Sequence, residues 1–176
     1  MSAPARIVVA DANVLINLVN ISRLDLCAQL AGFEFVIPDH VRAEILLAAQ
    51  RLQIDQAIKG GVLRLESITD LAALTDFTEF LDYLGRGEAA CLALAAQNGW
   101  SIASDEKRRF RRAVEARLGK GRIFGTADLL ALAIQAGRLT IAEADRDKHT
   151  LEQHRFKMDF VSFGNIVSPP TPSTGE

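Results

Sequence analysis

Short apolar runs alternate with stretches of helical spacing along most of this chain, which predicts an α/β protein with a parallel sheet covered by helices on both faces. Three observations carry the prediction. Ile7–Ala10 is an apolar run cut off by Asp11, Phe33–Ile37 is a second stopped by Pro38, and Trp100–Ala103 is a third followed by Ser104 and Asp105. Between them lie segments whose apolar residues recur every three or four positions, the length that a crossover between parallel strands requires.

Taken in order, Val14, Leu15 and Leu18 after the first strand have helical spacing. Pro38 and Asp39 fix the entry and cap of a helix carrying Val41, Ile45 and Leu46. Val62–Leu65 after Gly60-Gly61 reads as a third strand, and Leu71–Leu84 as a helix. Gly87–Ala96 is a helix dominated by Ala and Leu. A basic helix over Lys107–Leu118, a fifth strand at Arg122–Phe124, a helix over Ala127–Ala136 closed by Gly137, and a polar helix over 140–155 complete the series. The following FKMDFVSFGNIV is compatible with either strand or loop.

With 176 residues, 49% of them hydrophobic, one domain with a single core is expected over 1–167, and the Pro/Ser/Thr-rich end from Ser168 to Glu176 reads as a disordered tail. Net charge is −2, so the molecule as a whole is no basic nucleic-acid coat. Cys27 and Cys91 form no CxxC pair and lie in apolar surroundings, as buried thiols of a reducing compartment do. The N-terminus lacks the uncharged core of a signal peptide, and no window reaches the roughly 20 apolar residues of a spanning helix. A cytoplasmic protein with no membrane contact is the expectation.

Four acids fall at strand ends or early helix turns: Asp11, Glu44, Glu88 and Asp105. In an open parallel sheet the carboxyl ends of the strands converge on one crevice, so acids distant in sequence can meet there. Clustered carboxylates need a cation, which points to phosphate chemistry. Each acid also has a plainer reading. Asp11 and Asp105 suit N-caps, Glu44 a solvated helix face, and Glu88 first-turn stabilisation beside Gly87. Ala89, Ala90, Ala93 and Ala95 keep the Glu88 helix slender, so that its start can pack closely on the sheet. Asn13 can hold Asp11 or a water in the site, or cap the next helix, and Asp128 suits a helix N-terminus with a place in the pocket as the second reading. His40, His149 and His154 lack zinc spacing. Gly85-Arg86-Gly87 has neither the preceding strand nor the third glycine of a dinucleotide fingerprint.

VVADANVLINL, FVIPDHVRAEIL, LGRGEAACLALA and IASDEKRRFRRA, with the order and spacing of their acids, resemble the PIN-domain family of nucleases from Ile7 to about Gly137. The likeness is closest to a bacterial, toxin-like branch with a glycine-flanked glutamate before an Ala-rich helix and a Gly-Thr, here Gly125-Thr126. The resemblance implies a three-layer sandwich around a five-stranded parallel sheet and an acidic pocket for Mg²⁺ or Mn²⁺. It implies Asp11, Glu44, Glu88 and Asp105 as catalytic acids, with Asp11, Glu88 and Asp105 as metal ligands and Glu44 ligating through water or orienting the nucleophile. Asn13 and Thr126 become supporting groups. Cleavage of RNA as the toxin of a toxin–antitoxin pair, an antitoxin partner and a homodimer are implied in the same way.

Between Asp105 and Arg122 eight Lys and Arg face three acids, the marked charge run of the chain. Beside an acidic pocket, Lys107, Arg108, Arg111 and Arg112 would attract phosphates that carboxylates repel, with Arg108 and Arg111 or Arg112 on one helical face; the plain reading is a solvated helix face. Arg86 can pair with Glu88 or reach a phosphate. Few aromatics lie near in sequence, so base stacking is expected to be limited. A phosphatase of the haloacid dehalogenase type would need a second carboxylate where Asn13 stands. A catalytically silent PIN-like module that binds nucleic acid or protein is the alternative, since a fold confers no activity by itself.

Overall fold

The computed structural model describes residues 3–168; residues 169–176, where the tail is expected, lie outside it. Five strands form one parallel sheet: β1 (Arg6–Ala10), β2 (Phe33–Pro38), β3 (Arg64–Glu66), β4 (Ser101–Ala103) and β5 (Ile123–Phe124), in the order β3-β2-β1-β4-β5. Val8, Val9 and Ala10 are fully buried, which is why the middle strand reads as an unbroken apolar run. The strand order reverses between β1 and β4, paired in register from Val8↔Ser101 to Ala10↔Ala103. Asp11 and Ser104 therefore emerge side by side at the switch point of the sheet, where such folds bind ligands.

Helices flank the sheet in two groups. The slender α6 (Arg86–Asn98) packs on β1, β2 and β4 and gathers α3 (Asp39–Glu44), α5 (Leu71–Phe80) and α7 (Arg109–Leu118) around it. Ala89, Ala90, Ala93 and Ala95 are all fully buried, so the missing side-chain bulk is what lets this helix sit against three strands. The second group comprises α1 (Ala12–Asn20), α8 (Thr126–Gln135) and α9 (Ile141–Gln153). The short α2 (Leu26–Gln29) packs on β2, and α4 (Ala48–Lys59) on α1. Among the described residues no helix is long and apolar enough to cross a membrane.

Several boundaries differ from the sequence reading. Pro38 occupies the N-cap of α3 and Asp39 its first turn, where Asp39 accepts from the His40 amide. The helix stops at Glu44; Ile45 is buried, Leu46 is 82% exposed outside any helix, and α4 is a separate element. No Gly or Pro marks this break, which is tied off by Arg51 donating to the Ile45 and Ala43 carbonyls. β3 starts two residues and ends one residue later than expected, α5 ends at Phe80, and α7 starts at Arg109 because Arg108 takes φ 51°, a left-handed value that a helix cannot contain. The ambiguous segment after α9 is a short 3₁₀ turn, α10 (Phe163–Asn165), tied to α9 by Ser162 Oγ and the Phe163 amide, both donating to Asp145.

Candidate metal and nucleic-acid site

At the switch point a single residue, Asp11, separates the end of β1 from the start of α1. Asp11 is the N-cap of α1, its Oδ1 accepting from the Ala12 amide at 2.8 Å, so the capping role is real. Its other oxygen accepts from Ser104 Oγ (3.1 Å) and Asn13 Nδ2 (3.2 Å). Asp11 is 5% exposed, and burial first, with Glu44 and Glu88 adding repulsion, raises its carboxyl from the ordinary 3.8 to about 6. Crowding of the acids alone is thus the smaller cause. Cys91, buried on α6 beneath these acids, has its thiol held well above the usual range by burial and then by Asp11, Glu44 and Glu88.

Glu44 closes α3 and crosses to α6, where its Oε1 accepts from the Gly87 amide at 2.8 Å. Glu88 folds back on its own helix start, Oε2 accepting from the Gly85 amide at 2.8 Å. Asp11, Asn13, Glu44 and Glu88 line one open cleft of about 500 Å³ together with Glu106 and Arg109. Glu106, on the exposed loop before α7, and Arg109, donating to Glu88 Oε2 at 3.4 Å, are missed by the sequence reading. Both sit in EKRR, where the pattern starts a helix and nothing sets one base apart from another.

Asp105 stands at the back of this site, not on the cleft wall. Its Oδ1 accepts from the Thr126 amide (2.7 Å), and its Oδ2 accepts from Thr126 Oγ1 and from Asn17 Nδ2 (3.0 Å), while its own amide donates to Asn13 Oδ1 (3.1 Å). Asp105 therefore holds the N-terminus of α8 as well as α1. Burial raises its carboxyl above the ordinary range, with Asp128 adding to it. Asp128 is exposed, accepts from the Gly125 amide at 2.7 Å, and lines a different surface from the acidic cleft. Buried Asn17 and Ser104 also lie outside the set that the sequence points to; the readable signal for Asn17 is a polar residue in the apolar run VLINLV, four positions from Asn13 on one helix face.

The basic run divides. Arg117 is bound to Asp76 (2.9 and 3.0 Å), and Arg122 to the Gly99 and Trp100 carbonyls, so both serve the fold. Lys107 and Arg111 line a cleft with Asp105 and Lys157, whereas Arg108, Arg109 and Arg112 line a groove against α5. Arg108 precedes the helix, so the face it is expected to share with Arg111 or Arg112 is not a helical one; it lines one groove with Arg112 and is parted from Arg111. Arg86 is exposed and makes no hydrogen bond to Glu88, whose partner is Arg109.

The donor set suits a hard divalent cation, being oxygen only. Glu44 Oε2 and Glu88 Oε1 carry no hydrogen bond among the described residues, and a Cβ on Gly87 would collide with Glu44, so a bare glycine keeps room for that carboxylate. Asp11, Glu44 and Glu88 each accept from a backbone amide, and among the described residues no three His, Cys, Asp or Glu side chains form a metal-holding group.

No curated protein matches the chain significantly. A family model described as a PIN domain matches residues 7–159, from β1 past α9 and across every acid of the site. Members of that family are in general metal-dependent nucleases. The chain belongs to the PIN-domain family.

Proposed function

We propose that the protein is a Mg²⁺- or Mn²⁺-dependent endoribonuclease that hydrolyses phosphodiester bonds. The observation that carries this reading is the meeting of Asp11, Glu44 and Glu88, from three separate elements, in one cleft at the switch point of the sheet. These three would hold the cation, with Asp105 closing the set from behind. When bound, the cation would supply a lowered pKa for a coordinated water and a counter-charge for the phosphate. The chain's own groups do the rest. Ser104, Asn13 and the Ala12 amide hold Asp11; Thr126 and Asn17 hold Asp105; the Gly87 and Gly85 amides hold Glu44 and Glu88. Arg109, at the cleft rim, balances the acids and draws the phosphate in.

The test is cleavage of labelled single-stranded RNA and DNA by the purified protein with Mn²⁺ or with chelator, beside Asp11→Asn. Metal-dependent RNA cleavage lost in a folded Asp11→Asn protein is the expected result. Full activity in that variant would end the assignment. A silent binding module would show no stabilisation on Mn²⁺ titration, whereas a working site gains stability by mass action.

The exposed Leu46 and Leu47, which follow Glu44 in the chain, and the exposed Leu52 of α4 support a toxin with a protein partner, antitoxin or second copy, covering these leucines. Growth arrest on expression, relieved by a co-expressed neighbouring gene product, would be its signature.

A further inference from the structure

The acidic cleft has a neighbour that sequence spacing conceals. Helices α5 and α7 enclose a groove of about 650 Å³ lined by Glu79, Phe80, Tyr83, Arg108, Arg109 and Arg112. Tyr83 is 45% exposed, and its ring is set edge-to-face on Phe80 with centroids 6.1 Å apart. Burial and Glu79 hold its phenol above the ordinary range, so the ring is neutral near pH 7. Arg117 is already taken by Asp76 and Arg109 leans on Glu88, so Arg108 and Arg112 are the guanidinium groups of the groove without a carboxylate partner among the described residues. Arg109 lines both the groove and the acidic cleft, so the two are neighbours that meet at this side chain.

We propose that this groove is a nucleotide subsite for single-stranded RNA, in which Tyr83 stacks on an unpaired base and Arg108, Arg109 and Arg112 take the flanking phosphates. The inference rests on the nuclease reading above. An aromatic face beside forked cationic donors matches a base joined to phosphate, the two chemistries that a single strand presents and a duplex conceals. Arg109 joins the sites, so a strand anchored on Tyr83 continues toward Glu88 and Asp11. The subsite would set which nucleotide lies next to the scissile bond. Tyr83, remote from the basic run in sequence, supplies the stacking partner that the run itself lacks.

Binding is measured by fluorescence anisotropy with labelled oligouridine and an abasic strand of equal length, using Asp11→Asn protein in chelator so that nothing is cleaved. Adding Tyr83→Ala is expected to weaken the base-bearing strand about tenfold, leave the abasic strand unchanged, and be rescued by Tyr83→Phe. Arg112→Ala should weaken both strands and reduce the salt dependence by about one phosphate contact. Circular dichroism confirms that the variants are folded. Equal oligouridine affinity with and without Tyr83, no oligouridine binding at all, or displacement of RNA by oligoglutamate with the same Tyr83 dependence would each overturn the subsite, the last by assigning the groove to an acidic protein segment. Tyr83-dependent binding by a wild-type protein that cleaves nothing in Mn²⁺ would instead retire the nuclease reading and leave the subsite standing.

Discussion

The amide of Gly87 donates to Glu44 Oε1 at 2.8 Å, joining the end of α3 to the first turn of α6 across 43 residues of sequence. The contact exists because residue 87 has no side chain: a Cβ there would strike the Glu44 carboxylate. Nothing in the backbone demands glycine, since Gly87 lies inside a helix at ordinary angles and alanine is the better helix former there.

Gly87→Ala is therefore expected to fold while pushing the exposed Glu44 side chain out of the cleft. Melting temperature in chelator should change little, whereas the Mn²⁺ affinity, read from its stabilising effect, and the cleavage rate should both fall at least about tenfold, the scale of a lost site-orienting contact. Wild-type metal response in this variant would remove Glu44 from the site.

Parts of the site are legible in the sequence for a physical reason. Asp11 shows because a charge that ends the apolar run Ile7–Ala10 has few places to go, and Glu88 shows because alanines around it leave the helix start room against the sheet. Glu44 is less distinct: its partner is a backbone amide 43 residues away, which no local pattern encodes. Glu106 is hidden because the left-handed Arg108 delays α7 by two residues against the pattern, turning an expected helix start into cleft-edge loop. Tyr83 belongs to the groove only once α5 and α7 are packed together, so its role is a product of tertiary structure alone. The break at Ile45–Leu47 likewise carries no turn residue and depends on Arg51.

Asp11→Asn should make the metal-free protein more stable at neutral pH. In the unfolded chain this carboxyl ionises near 3.8 and in the folded protein near 6, so between those values the folded state holds a proton that the unfolded state has lost. Stability therefore falls as pH rises through that window and is level above it. The shift corresponds to about 3 kcal/mol at most. Urea unfolding in chelator should show that descending slope for the wild type and a flatter profile for Asp11→Asn; identical profiles would mean that Asp11 is not the buried acid described.

Thr126→Val tests the support behind Asp105. Thr126 is fully buried, donates its hydroxyl to Asp105 Oδ2 and accepts from Asn17 Nδ2 at 3.2 Å. Valine fills the same volume without the hydroxyl, so the loss isolates the hydrogen bonds and is expected to be roughly 1–3 kcal/mol by urea unfolding. The Thr126 amide still donates to Asp105 Oδ1, so activity should drop but not vanish. A neutral effect on stability would show that this network is slack.

Asp76 joins three helices, and that junction decides where the arginines of α7 stand. Buried on α5, it accepts from Gln97 of α6 at 2.7 Å and twice from Arg117 of α7, at 2.9 and 3.0 Å. Asp76→Ala removes all three bonds and leaves the Gln97 amide without that partner. Arg117 is half exposed and can return to water, so its share is discounted, and the expected loss is about 1–2 kcal/mol. Because Arg109 and Arg112 ride on the same helix as Arg117, loosening α7 should also weaken RNA binding in chelator by a few-fold, with the salt dependence kept, since no phosphate contact has been deleted. Gln97→Ala, which spares the Arg117 pair, should lose stability while binding RNA as the wild type does. Equal binding losses in the two variants would show that α7 is placed by its buried Phe110 and Val114 and not by the carboxylate that grips its far end.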